Sequence, residues 1–468
     1  MNNFLEKTNF RSIIHKLRNY QISIYRYAIL FAVLLASALL APRIAQGNRI
    51  SLVLYILIFG VILLICQIKW PILGLIAVLI GGIFVPFSMQ GGINISQIGL
   101  VAIFGVWVLD FLFFKKERHI IQSRTNVPIS LFILFSIISF LFGQYSWYTF
   151  AQNAPIEAQF GGLLLYVLSA IAFLLVPYIL DNLFKLEVFT WIFLAISSIY
   201  IIARGIGFEA IELRFQDGFR AGSLFWVWIV ALLAGQAIAN RHLSFVKRIL
   251  IGVMILITFY VALVKGFDWR SGWFPPLISL AVIFGVRYWH KVKYLTPLAI
   301  IPFYLIVTAS IGQEDWSWVT RTEAWTIVLT IAQVSPILGM GFANYYWYTP
   351  LFPLRGFHAR FNSHSQFVDL IAQTGIMGLL IFIWFFAEVT LLSFRLLSKV
   401  PEGFSKGYIY SALGGIAGTI VAAYLVDWVL PFVYNIGMEG FRASILAWIF
   451  MGGIVTIEQV IRKSEALN

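Results

Sequence analysis

Residues 364–392 read HSQFVDLIAQTGIMGLLIFIWFFAEVTLL. From Phe367 to Leu392 the run carries only two charged residues, Asp369 and Glu388, and it exceeds the ~20 residues that a helix needs to cross a hydrocarbon layer. A segment buried in lipid must satisfy its own backbone hydrogen bonds, so it is read as a helix. The residues before it differ in kind: Arg321, Arg355, His358, Arg360 and His364 make that stretch polar, with an aromatic run among them. A membrane helix joined to an Arg- and His-bearing loop is therefore the unit from which the rest is read.

Similar apolar runs recur outward from it. They extend from Tyr27 to Leu40, Ser51 to Ile68, Pro71 to Phe87, Ile98 to Phe114, Val127 to Phe142, Gly161 to Leu180, Val188 to Ala203 and Ser223 to Ala239. Others run from Ile249 to Val264, Trp273 to Val286, Tyr294 to Ile311, Tyr408 to Leu425 and Ala443 to Ile457. Hydrophobic residues make up 60% of the chain and charged residues 11%, against about 25% charged in soluble domains. The expected fold is all-α: a polytopic integral membrane bundle of about 12–14 helices, one membrane domain over residues 1–468. The lone cysteine, Cys66, can neither pair internally nor build a Cys-based metal site. The first apolar run follows Lys7, Arg11, Lys16, Arg18 and Arg26 without a small-residue cleavage site, and is read as uncleaved.

Loop charge sets an expected topology. Placing the N-terminal cluster in the cytoplasm puts 22 Lys or Arg inside and 11 outside, the positive-inside pattern. Both termini are then cytoplasmic, and residues 312–365 form a large external loop with short helices. Basic residues scattered among short loops argue against nucleic-acid binding, despite a formal charge of +13. Ten of the eleven external cations are Arg (positions 43, 49, 204, 214, 220, 270, 321, 355, 360 and 442), with Lys265 the exception. Planar guanidinium forks suit phosphate, so the bias points to an anionic ligand. Anionic headgroups and nearby carboxylates such as Glu209, Glu212, Asp217 and Asp268 are the other reading.

His364-Ser365, nine further residues, then Gly375 and Gly378 complete a pattern that resembles the O-antigen ligase and polymerase superfamily of bacterial membrane glycosyltransferases. Arg321, four residues before Trp325, and Arg270, at the start of a span, resemble that family's paired arginines; Arg220, in Gly-Phe-Arg-Ala-Gly-Ser, resembles a further basic position. Two departures stand out. Trp269 replaces the usual small residue before Arg270, and Gln373 holds a place where the family often has an acid.

The resemblance implies a donor glycan on a polyprenyl diphosphate, at the outer face of the cytoplasmic membrane. It also implies an acceptor hydroxyl on another glycan, lipid A core or another molecule, no cofactor, and metal independence. No Asp-x-Asp motif is present; arginines would neutralise the leaving diphosphate instead. Arg321, Arg270 and Arg220 are the candidate diphosphate binders. His364 is the candidate base, kept neutral by nearby arginines and by the positive end of the following helix; the alternatives are a loop-anchoring hydrogen bond or a contact to diphosphate. Tyr345, Tyr346, Trp347 and Arg360 are candidate glycan or acceptor contacts, though Tyr and Trp equally suit a membrane interface. Gly375 and Gly378 are expected to permit close approach of a helix or lipid tail. The contrasting class is a lipid-linked oligosaccharide transporter, for which Asp110, Asp369 and Asp427 near span ends are the relevant sign.

Overall fold

The computed structural model describes residues 67–89, 91–114, 121–266, 269–292 and 316–466. The chain divides into two compact units, Met1–Trp70 and Pro71–Asn468, and the helices below all belong to the second. They are α1 (Pro71–Phe84), α2 (Ile95–Leu109), α3 (Asn126–Phe142), α4 (Ile156–Ile179), α5 (Leu183–Ile206), α6 (Ser223–Ala239) and α7 (Phe245–Val264). There follow α8 (Arg270–Arg287), α9 (Trp316–Ala332), α10 (Asn344–Tyr348), α11 (Gln366–Leu397), α12 (Phe404–Leu425) and α13 (Phe441–Glu465). Among the described residues the only β pairing is two isolated bridges.

The all-α membrane architecture is borne out. Seven of the described helices are long and apolar enough to cross a membrane, and α1, α3 and α6 are shorter apolar helices. Eleven of the apolar runs lie on α1–α8 and α11–α13. The runs Tyr27–Leu40, Ser51–Ile68 and Tyr294–Ile311 fall wholly or mostly outside the described residues, as do Cys66 and the N-terminal basic cluster.

A helix that is apolar on every side belongs inside a bundle, and α6 is the case in point: Leu224, Phe225, Val227, Trp228, Ile229 and Val230 are all buried. Helix α12 packs against it through small residues. A side chain at Gly415 would meet the Trp228 ring at 2.6 Å, and one at Gly418 would meet the Pro275 carbonyl of α8 at 2.9 Å. Such close approach is how helices associate where lipid removes the hydrophobic drive.

Hydrogen bonds between segments far apart in the chain gather at two ends. At the end carrying His364, Asn94 Nδ2 donates to Met438 O (2.8 Å), Gln216 N to Ile83 O (2.8 Å) and Asn344 Nδ2 to Gly143 O (2.8 Å). At the other, Gln236 Nε2 donates to Phe404 O (3.1 Å) and Lys399 pairs with Glu465 (2.9 Å). The helix ends and connections at the His364 end carry Arg204, Arg214, Arg220, Lys265, Arg270, Arg321, Arg355, Arg360 and Arg442. These are the cations assigned above to one face.

Helix α11 is two helices joined at a break. Gly375 has φ 69° and ψ −176°, a conformation essentially reserved for glycine. The groups freed by the break are taken up by the loop after α9. Ile376 N donates to Pro336 O (2.9 Å) and Met377 N to Ile337 O (3.3 Å), while Met340 N and Gly341 N donate to Ala372 O (2.9 Å) and Gln373 O (3.1 Å). Irregular backbone within a membrane helix is tolerated where protein satisfies it in this way. Gly375 therefore admits a backbone loop, not a neighbouring helix or lipid tail as its spacing suggested. Gly378 faces its own helix, where an added Cβ would meet Thr374 Oγ1 at 1.9 Å.

Candidate active site

Arg321 and Trp325 lie one turn apart on α9 and so share a face. Trp325 Nε1 donates to Ser363 O at 2.7 Å, which ties α9 to the residue before His364. Arg321 Nη1 donates to Leu425 O at 3.0 Å, a carbonyl in the last turn of α12, where a cation is favoured. These two hydrogen bonds bring the arginine and the histidine together from separate segments.

His364 is half-buried with φ 52°, the left-handed region that residues bearing a Cβ seldom occupy. Its Nδ1 lies 3.4 Å from Asn362 Nδ2 and 3.3 Å from Asn435 Nδ2. The Asn435 amide nitrogen also donates to Asp427 Oδ1 at 2.8 Å, which orients that amide. An amide nitrogen only donates, so Nδ1 is the accepting nitrogen and the neutral ring carries its proton on Nε2. Both contacts are long for hydrogen bonds, and an incoming hydroxyl can replace them.

Charge around the ring favours its neutral form. Burial, and secondly the positive charge of Arg321, lower the His364 pKa from the usual 6.5 to about 4. Asp427 moves the other way: burial raises its carboxyl to about 6, against hydrogen bonds from Asn435 and the Phe432 N–H and the charge of Arg321. Arg321 thus acts on both groups. Among the described residues no three His, Cys, Asp or Glu side chains gather to hold a metal.

The aromatic run divides in two. Tyr346 stacks on Tyr434 with ring centroids 4.6 Å apart, Trp347 Nε1 donates to the Tyr434 hydroxyl (2.9 Å), and the Arg360 guanidinium lies 3.6 Å from the Trp347 ring centroid. This half-exposed group adjoins Asn435 in sequence. Tyr345 lies elsewhere: it is fully buried, stacks on Phe432 and donates its hydroxyl to Asp369 Oδ1 at 2.5 Å. That places it beneath the site, out of reach of a glycan.

Arg220 is held in a second cationic group. Its Nε donates to Asp217 (2.7 Å) and its Nη1 to Glu212 (3.1 Å), a carboxylate shared with Arg204. A cavity of about 540 Å³ lies here, lined by Arg204, Arg220, Lys265, Trp226, Trp269 and Trp273 among others. Arg270 is exposed at the start of α8, next to the cavity-lining Trp269. A side chain at Gly222, two residues after Arg220, would meet the ring of Trp428, one residue after Asp427, at 3.3 Å.

Not every cation of this end is available to an anion. Arg442 is buried, with its guanidinium donating to the carbonyls of Gly82 (3.1 Å), Val85 (2.9 Å) and Phe87 (3.1 Å) and pairing with Glu439. The Arg355 guanidinium pairs with Glu323 at 3.8 Å, and its backbone N–H donates to the same carboxylate at 2.9 Å. For Arg442 and Arg355, and in part for Arg204 and Arg220, local partners account for the charge. Asn435, and the part played by Asp427 beside His364, escaped sequence reading: no spacing ties residue 435 to residue 364.

Residues 229–383 match the family model described as O-antigen ligase. The match runs from within α6 past Gly378 and takes in Arg270, Arg321 and His364, leaving Arg220, Asp427 and Asn435 beyond it. Comparison with curated proteins yields no match.

Proposed function

We propose that this chain, in which residues 229–383 match an O-antigen ligase domain, is a membrane glycosyltransferase. It transfers or polymerises a polyprenyl-diphosphate-linked glycan at the outer face of the cytoplasmic membrane. The observation that carries the reading is the meeting of Arg321 with a neutral, half-buried His364 at the start of a membrane helix. An acceptor hydroxyl oxygen attacks the anomeric carbon of the donor while the bond from that carbon to the diphosphate oxygen breaks. The bonding pair leaves with the diphosphate, and the hydroxyl proton passes to His364 Nδ1. Arg321 lies where negative charge grows on the leaving group. Arg220 and Arg270, beside the cavity, are assigned to the same diphosphate or its lipid end, and Tyr346, Trp347 and Arg360 to the glycan.

A transporter is the second reading, favoured by the interrupted helix α11 and the buried Asp369. The break does not line a pathway, because the loop of residues 336–341 occupies it. Incubation of the purified protein with a polyprenyl-diphosphate oligosaccharide and a panel of hydroxyl acceptors, in excess EDTA, tests the assignment. Glycosylated acceptor and free polyprenyl diphosphate are expected; the absence of product from lipid A core, lipid-linked repeat and protein acceptors alike removes the glycosyltransferase assignment.

The pH profile supplies a second check. A base with a pKa of about 4 is unprotonated at all higher pH, so kcat/KM, which reports the free enzyme, should hold on acidification until about pH 4. Bound diphosphate adds negative charge, which favours imidazolium and raises the pKa. The acid limb of kcat is therefore expected above that of kcat/KM. A kcat/KM limb at about 6.5, the ordinary imidazole value, that persists in Asp427→Asn, where the carboxyl that titrates at about 6 is gone, contradicts the site described.

A further inference from the structure

We infer that Ser363, Asp369 and Tyr345 are positioning residues, forming a buried clamp that holds His364 in its left-handed conformation and fixes the direction of its imidazole. Only the catalytic part of this inference rests on the function proposed above.

All the polar atoms of Ser363 are engaged. Its N–H donates to the Tyr345 hydroxyl (3.3 Å), its carbonyl accepts from Trp325 Nε1 (2.7 Å), and its Oγ lies 2.7 Å from Asp369 Oδ1 and 2.9 Å from Ser365 O. Oγ also accepts from Ser365 N at 3.0 Å. The two neighbours of His364 are thus bonded to each other across it, in a short closed loop whose middle residue sits at φ 52°. The left-handed region is unfavourable for an L-residue and persists where its surroundings over-determine it.

Asp369 anchors the arrangement. Its Oδ1 accepts from both Tyr345 and Ser363, whereas Oδ2 is buried and has no hydrogen-bond partner among the described residues. A buried oxygen left unpaired is a cost, and the bonds to the clamp are what Oδ1 returns. Because only an accepting oxygen is needed, a carboxamide in the right orientation should serve nearly as well, and an isosteric apolar group should not.

The experiment uses the full chain in lipid nanodiscs and two readouts. One is transfer kinetics; the other is the rate at which diethyl pyrocarbonate modifies His364, followed by mass spectrometry of its peptide. Ser363→Ala and Asp369→Val are expected to lower kcat about 10- to 100-fold with donor KM within about twofold, and to raise the modification rate several-fold. Ser363→Thr and Asp369→Asn, which keep the hydroxyl and the accepting oxygen, should restore both readouts to within about threefold of wild type. If Asp369→Val does not fold, Tyr345→Phe removes one hydroxyl while keeping the ring stack, and takes its place. Folded Ser363→Ala with wild-type kcat and wild-type modification rate overturns the clamp; so does a loss of activity with the modification rate unchanged, or an effect confined to KM. A wild-type protein without transferase activity whose His364 becomes more reactive in Ser363→Ala overturns the proposed reaction and leaves the clamp standing.

Discussion

In His364→Ala, kcat for glycan transfer is expected to fall by about 10²–10⁴-fold, the range for removal of a general base, with the protein still folded. In the free protein Nδ1 meets only the long contacts to Asn362 and Asn435, so truncation breaks no strong bond of the fold. Arg321→Ala should cost about 10²–10³-fold, as for a lost charge-stabilising donor, and Arg321→Lys should recover part of it, since a lysine supplies charge without the fork. Removing Arg321 also lifts one of the two influences that hold the His364 pKa low, so the acid limb of the residual activity should move up. Measurement of kcat and KM with a polyprenyl-diphosphate donor decides the matter. Either alanine variant at full activity removes that residue from the mechanism.

Gly375→Ala is expected to cost about 4 kcal/mol or more, the size reserved for a few identifiable mechanisms, and to leave little folded protein. A Cβ there would lie 2.1 Å from Ile337 O, 2.3 Å from Ile337 C and 2.6 Å from Gly339 N. These are backbone atoms of a loop that is itself held to α11 by four hydrogen bonds, so no side-chain rotation relieves the clash. The opposing Gly339, at φ 71°, is equally confined, with a Cβ 2.4 Å from Gln373 C. Gly378→Ala is the internal control. Its Cβ would lie 1.9 Å from Thr374 Oγ1, which can turn away, and 2.4 Å from Thr374 Cβ, which moves only with the helix; with no loop backbone in the way, a loss of about 1–3 kcal/mol from overpacking is expected. Thermal unfolding in detergent, with the monodisperse fraction on size exclusion, reads both. A Gly375→Ala protein with the wild-type melting temperature refutes the account of the break.

The candidate residues were largely legible in the sequence before their contacts were known. Arg321, Trp325 and His364 stand out because polar residues abutting a long apolar run have little other use there, and Trp325 proves to be the strut between the other two. Tyr345 looked no different from Tyr346 and Trp347 in sequence, since one step along a helical turn separates a buried ring from a half-exposed one. Arg220, Arg321 and Arg442 carry identical side chains into three settings: a carboxylate pair beside a cavity, the end of α12 next to His364, and the carbonyls at the end of α1.

What the amino-acid order settled alone was the all-α membrane bundle, because lipid offers no partner for a free peptide group and the length of each apolar run is counted directly from the residues. What the tertiary structure decided was which polar groups meet. Residue 435, held by residue 427, reaches His364, and residues 336–341 fill the break at Gly375, through hydrogen bonds a few ångströms long between segments far apart in the chain. Such bonds depend on how the helices pack, and packing leaves no periodic trace in the sequence.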